Sequence, residues 1–464
     1  MKPVLADFGN RQVEIAVPKH AVVIEFEDKS LLADPVTATI EAISAPHGSP
    51  PLSELAGPGK RVAIGFDDPT RPSATVQTII PAVVQKLLDS GVSADDIVLI
   101  CACSNHRKWT HTELAQYLGQ NIYGRFWPSG QILNHDCYDQ LQLKFLGTSN
   151  IGKYYVELNR RYIEADLMIY VGNVMAAGFS SYTGTGVVIG LASTRSIASH
   201  HSLKKIRKHG FQIDDKVTKQ PHSVKGDMNA LLEEVTGKRV FYVNAVPSAG
   251  GEFSGVFAGY AREVRPPAWA VADSIFRYPA PKADVLIIGI PEILSLGSSD
   301  NTLLAASGVL SPPRLCPERP ILREGGVVIG LCPSRGYIDP ERYPSYQAAI
   351  NLYAHYHTVN SLVNHEEEFD VCTDYRHRYT NGYAFPPLHA FWLLYQFSYT
   401  QKRAGAVIMA GTSNPEAFRS LGIVPAENFD EAWKLATKFV GKDPVTVVAP
   451  TYWSRPSFKF DVTS

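Results

Sequence analysis

Short apolar runs that stop abruptly at polar or glycine-rich loops constrain the fold of this chain most. Residues 61–66 (Arg-Val-Ala-Ile-Gly-Phe) and 97–102 (Ile-Val-Leu-Ile-Cys-Ala) are two such runs. Their near-continuous hydrophobicity is that of parallel strands buried on both faces. Between them Ile79, Ile80, Val83, Val84, Leu87 and Leu88 recur at helical spacing, and Gly91 stands where that helix should stop. This is a strand–helix–strand unit, for which a right-handed crossover is expected. A third run, Leu167-Met168-Ile169-Tyr170-Val171, enters a loop at Gly172, and Val240–Val243 begins another strand.

Prolines at 266, 267, 279 and 281 mark residues 264–282 as a connection. Beyond it the alternation restarts, with strands expected at Val285–Ile290, Val327–Leu331, Ala406–Met409 and Val445–Val448. A chain of 464 residues exceeds one ordinary core. The economical architecture is α/β: two domains, 1–270 and 271–464, with largely parallel sheets and an active-site cleft between them.

Three loops following strands carry residues with chemical capacity, and ligands of open α/β sheets bind at such strand ends. The first is Asp67-Asp68-Pro69-Thr70-Arg71-Pro72. Asp68 and Arg71 read either as an ion pair tying the turn or as a guanidinium fork offered to a carboxylate or phosphate. The second loop is Cys103-Ser104-Asn105-His106-Arg107. His106, one of 14 histidines, reads as a general base or as an ordinary polar residue. The third, from Gly172 to Gly186, is rich in small and hydroxyl residues whose backbone N–H groups can approach a phosphate. It matches neither dinucleotide-binding nor Walker signatures, and a tight structural turn explains it equally well. His200 and His201 follow a helical segment at Thr194–Ser199. Trp392 reads as a pocket wall or a core residue.

A formal net charge of −1 without blocks of like charge argues against nucleic acid or an anionic membrane as partner. The start lacks the apolar core of a secretory signal, and no stretch approaches the roughly 18 apolar residues of a spanning helix. Six scattered cysteines fit reduced thiols in a cytoplasmic protein.

Taken in order, these segments resemble the nickel-pincer-nucleotide-dependent lactate racemase family. Asp68-Pro69-Thr70-Arg71-Pro72 matches its Asp-x-x-Arg-Pro motif. Ser104-Asn105-His106-Arg107 with Thr110–Leu114 is similar to its Gly-Thr-His-Arg loop and following helix. Glu157-Leu158-Asn159-Arg160, Glu164-Ala165-Asp166, Gly178-Phe179-Ser180 and Ser199-His200 continue the match. The resemblance implies a pyridinium-derived mononucleotide that grips nickel through sulfur, carbon and sulfur, with His200 as the protein ligand. It implies hydride abstraction and return at the α-carbon of a 2-hydroxy acid, with His106 moving the hydroxyl proton. Asp68 and Arg71 would organise the site, and Gly178, Phe179, Ser180, Ser181, Tyr182, Thr183 and Gly184 would cradle the cofactor. Arg107 and Trp392 would face the substrate.

Three departures qualify that implication. Gly184 stands where the family carries the lysine joined to the cofactor, so attachment here would be noncovalent. Val174 stands where the family has its second catalytic histidine, leaving His135 or Tyr182 as stand-ins. The family's Gln-x-x-Lys element is not recognisable around Ser298–Leu304. The reading is a racemase or epimerase of a 2-hydroxy acid other than lactate, with that acid and the cofactor-synthesis enzymes as partners. A small-acid oxidoreductase and a non-catalytic ligand-binding homologue are the alternatives.

Overall fold

The computed structural model describes residues 1–27, 30–177, 180–204, 206, 224–248, 251–316, 319–454 and 457–463, without the side chains of 177, 180 and 181. Gly178, Phe179 and Lys205 lie outside the described residues.

Two sheets organise the chain. The first has six strands in the order Phe253–Tyr260, Phe241–Pro247, Leu167–Asn173, Val62–Asp67, Ile97–Ala102 and Ile132–Asn134. All neighbours are parallel except the first pair, which is antiparallel. Its central strands are buried on both faces, as their uninterrupted apolar runs require. The crossover helix Ser73–Asp89 buries Val76, Ile79, Ile80, Val83, Val84 and Leu87, one stripe at helical spacing. Gly91 follows with φ +87°, a left-handed conformation that suits glycine at the end of a helix.

The second sheet has eight strands. Ala283–Pro291 pairs in parallel with Leu322–Leu331 and Thr446–Ala449, and Leu322–Leu331 pairs in parallel with Ala406–Ala410. The chain's own beginning completes this sheet. The hairpin of Lys2–Gly9 and Arg11–Val17 joins it through Phe8 opposite Ile290, and Val22–Val23 pairs with Thr446–Ala449. The first 23 residues therefore belong structurally with the second sheet, not with the first as the 1–270 grouping had them. Their buried residues Val4, Ala6, Ile15, Val17 and Ala21 share a core with Val285, Ile287, Val327 and Ile329.

The proline-rich connection also differs from expectation. Ala261–Phe276 is a helix that contains Pro266 and Pro267. Val264, Ala268, Trp269, Ala272, Ile275 and Phe276 are buried along it. That packing outweighs a loss of about 3 kcal/mol per interior proline. The six cysteines are free thiols, and no described helix is long and apolar enough to cross a membrane.

Candidate active site

Phe66 is paired with Cys101 on one side and Val171 on the other, so the three loops leave one edge of the first sheet side by side. Two consecutive carboxylates at the end of the middle strand tie them together. Asp67 accepts hydrogen bonds from the Tyr170 hydroxyl and the Asn173 backbone N–H, both at 2.8 Å, which fixes the third loop. Burial pushes its carboxyl pKa up, against the opposing pull of Arg71 and these donors.

Asp68 turns to the second loop. Its Oδ2 lies 2.8 Å from His106 Nδ1, and Trp109 Nε1 donates to the same oxygen at 3.4 Å. Its Oδ1 accepts from the Thr70 hydroxyl and from the Thr70 backbone N–H. Burial alone would raise the pKa of Asp68. His106, Arg71 and Thr70 outweigh it and hold the carboxyl below its ordinary value. A carboxylate at Nδ1 makes that nitrogen a donor, leaving Nε2 of the neutral ring as the proton acceptor. Asp68 is 4% exposed and His106 19%, so the carboxylate is shielded while the imidazole reaches the cleft.

The turn carrying His106 is tight. Its N–H bonds the Cys103 carbonyl at 2.7 Å, and Ser104 adopts φ +51°. Arg71 Nη1 donates to Thr70 Oγ1 at 3.0 Å, and the Arg71 side chain lines the cleft. Arg107 does not present an open fork to a substrate. It makes a two-point ion pair with Glu113, at 3.0 and 2.5 Å, and lies 3.8 Å over the Trp109 ring.

The third loop forms a small hairpin, Ala176–Ala177 with Ser180–Tyr182. Gly184 follows at φ +77°, where an added Cβ would sit 2.9 Å from Val174 Cγ2 and 3.4 Å from Asn244 Oδ1. The backbone at 184 thus leaves no room for a side chain. Lys225 Nζ, from another helix, donates to the carbonyls of Tyr182 and Gly184 at 2.9 and 3.0 Å. Val174 is buried in the core beside Tyr182, Val246 and Trp269.

The residues proposed as stand-ins for a second histidine lie elsewhere. His135 is wholly buried, with Nε2 on the Ala192 carbonyl at 3.0 Å and Nδ1 on Asn159; burial lowers its pKa to about 4. The Tyr182 hydroxyl donates to Asp273 at 2.6 Å, away from the cleft lining.

The helix Thr194–His201 includes both neighbouring histidines and runs two residues further than expected. Both line the cleft, with their Nδ1 atoms 2.6 Å apart. Burial, then the charge of His106, lowers the His201 pKa to about 3.

The opposite wall comes from the second sheet's side of the molecule. His389, Trp392, Leu393 and Gln396 occupy i, i+3, i+4 and i+7 of the helix His389–Arg403 and line one face of the cleft. The His201 and Trp392 rings are 6.2 Å apart, and the His106 and His389 rings 6.0 Å. Arg314, whose Nη2 donates to Gln396 Oε1 at 2.5 Å, and Arg342 add positive charge there. The enclosed space is about 1030 Å³, at the upper end of small-molecule sites. Among the described residues, no group of three or more histidine, cysteine, aspartate or glutamate side chains is placed to hold a metal.

Residues 8–212 match the family model described as the lactate racemase N-terminal domain. Over that segment, somewhat under half of its length, the chain is similar to the lactate racemase family. A lactate racemase of Thermoanaerobacterium thermosaccharolyticum is 24% identical over 293 residues, 62% of this chain. The match spans 63% of that curated relative's length. The solved apoprotein structure of lactate racemase from the same organism shares the fold with a TM-score of 0.69 at 17% identity. That likeness covers 98% of this chain and 99% of the other. A Thermotoga maritima protein is similar with a TM-score of 0.59 at 16% identity, over 94% of this chain and 100% of its own. Asp68, Arg71, His106 and His200, singled out by their motifs, all line the one cleft. Lys225 and Arg314 carry no sequence signal that would single them out, and His389 was passed over beside Trp392.

Proposed function

We propose that this chain is a racemase or epimerase of a 2-hydroxy acid other than lactate, working with a noncovalently held nickel-pincer nucleotide. The observation that carries this reading is the His106 imidazole, polarised by buried Asp68 at 2.8 Å and set in a cleft shared with His200. Its free-lone-pair nitrogen suits removal of a hydroxyl proton and its later return to the same oxygen.

The residues present fit a mononucleotide. Gly184 lines the cleft with bare backbone and carries no side chain to serve as a covalent anchor, which supports noncovalent attachment. Lys225 on the carbonyls of Tyr182 and Gly184, and Arg71 in the same cleft lining, supply positive charge suited to a phosphate. His200 would give nickel an imidazole ligand, and the sulfur and carbon donors would come from the nucleotide. When bound, that group supplies a hydride acceptor for the substrate carbon. Arg314 and Arg342 offer carboxylate partners on the far wall, in place of the family lysine that is missing near Ser298–Leu304. This altered wall supports a substrate other than lactate.

The burial of Val174 in the core favours one second reading, a one-sided oxidoreduction with a keto acid as product. Expression with and without cofactor-synthesis enzymes, followed by nickel mass spectrometry and visible absorption, tests the cofactor. About one nickel per chain, lost in His200→Ala, is expected; no nickel and no chromophore under full cofactor supply refutes it. A chirality screen of 2-hydroxy acids then separates an inverted product from a released keto acid.

A further inference from the structure

Two imidazoles lie edge to face in this cleft, and each has its Nδ1 committed to a different kind of partner. His106 Nδ1 is held by the Asp68 carboxylate at 2.8 Å. His389 Nδ1 is held by the Tyr346 hydroxyl at 2.6 Å. Tyr346 is fully buried and His389 is 3% exposed, so this second pair is shielded from solvent. The partners decide the tautomers. A carboxylate only accepts, so His106 carries its proton on Nδ1 and offers a lone pair at Nε2. The buried Tyr346 hydroxyl has His389 Nδ1 as its acceptor, and an unmade buried O–H bond is costly. Tyr346 therefore donates, and His389 carries its own proton on Nε2.

We propose that His389 is the hydrogen-bond donor to the 2-oxygen of the substrate, directly opposite the proton acceptor His106. This rests on the hydroxy-acid reading above. An oxygen at ordinary hydrogen-bond distance from both Nε2 atoms lies about 4 Å from each ring centre. Rings with centroids 6.0 Å apart and planes 79° apart leave room for one oxygen at that distance from both. His389 keeps its proton throughout. It stabilises the oxygen when the hydroxyl becomes a carbonyl, as a preorganised donor does in a water-poor site. His106 alone takes and returns the proton.

The surroundings agree. Burial holds the His389 pKa well below its ordinary value, so the ring stays a neutral donor. Phe385 packs on His389 at 4.6 Å, and the Tyr346 ring stacks 13° from its plane, so its orientation is fixed. The arrangement has a consequence for stereochemistry. With the oxygen held by two rings, the planar keto acid can turn about its C–O axis and expose either face. One base then suffices for inversion, and the valine at 174 is no obstacle.

The test uses a set of 2-keto acids labelled with 13C at carbon 2, running from pyruvate to bulkier side chains, with infrared detection of the labelled carbonyl stretch when bound to the cofactor-loaded protein. The stretch should fall on binding to wild type and return toward the solution value in His389→Leu. His389→Gln, whose amide can still donate, should keep most of the shift. In turnover, His389→Leu should lose about 10²–10³-fold in kcat, and His389→Gln should stay within about 10-fold of wild type. A proton-transferring His389 would instead make the Gln variant as inactive as Leu, which would overturn the proposal. An unshifted carbonyl for every bound keto acid in wild type, failure of the whole set to bind, or a shift unaffected by His389→Leu would overturn it too. A His389-dependent carbonyl shift without inversion of any hydroxy acid would uphold the donor role and reject the racemase reading. Inversion that survives His389→Leu would do the reverse.

Discussion

Replacing Asp68 by Asn should invert the proton arrangement of His106 while leaving the fold in place. In the wild type, Asp68 Oδ1 already accepts from two Thr70 donors, its hydroxyl and its backbone N–H. An asparagine keeps its carbonyl oxygen in that position, because turning it would bring the amide N–H₂ against two donors. The amide nitrogen is thereby placed opposite His106 Nδ1, 2.8 Å away. As a donor, it forces Nδ1 to become the acceptor, and the ring proton moves to Nε2. The nitrogen facing the cleft then has no lone pair with which to take a hydroxyl proton. General-base catalysis is worth about 10²–10⁴-fold, so kcat should fall by that factor, or about 3–5 kcal/mol of barrier. Selective 15N labelling of histidine with long-range proton–nitrogen correlation reads the tautomer directly, and chiral chromatography of the product reads the rate. A His106 ring that stays protonated at Nδ1 in the variant would refute the tautomer argument. So would a changed tautomer that leaves turnover within threefold of wild type.

Gly184→Ala should destabilise the chain by about 2–4 kcal/mol, from about 1 kcal/mol of left-handed backbone and about 1–3 of overpacking against Val174. In a Val174→Ala background the same change should cost only about 1 kcal/mol by urea unfolding, and equal costs in both backgrounds would refute the contact. His135 is held neutral in the fold, with a pKa of about 4 against about 6.5 when unfolded. Its contribution to stability is complete above pH 6.5 and is lost as pH falls toward 4, by about 2 kcal/mol at pH 5. His135→Gln should flatten that part of the stability–pH curve, and an unchanged slope would assign it to other groups.

The parts of this molecule legible in sequence were those built from neighbours in the chain. Ile79, Val83 and Leu87 repeat at helical spacing, and Asp68 and His106 lie in the loops after their strands, so short-range pattern located the fold unit and two of the residues that line the cleft. What sequence could not supply was contact across long separations. His106 and His389 are 283 positions apart in numbering and meet only through the packing of two sheets. Helix His389–Arg403 reads as core because nine of its residues are buried, and the same apolar character conceals the face it turns to the cleft. Arg107 shows the converse. Its motif context suggested a substrate contact, but Glu113, placed by a capping box at the start of the next helix, claims the guanidinium. The N-terminal hairpin pairs neighbours in the chain but was not singled out in the sequence, and its parallel neighbour, Ala283–Pro291, lies out of reach of any periodicity.

That hairpin changes how the cleft can move. The chain begins in the second sheet, leaves it after Val23, builds the whole of the first sheet, and returns through the strand Arg277–Pro281. The two halves are thus joined by a double tether, not by a single linker. Any relative movement of the two halves must be accommodated by both crossings at once, a tighter constraint on the distance between His106 and His389 than one linker would impose.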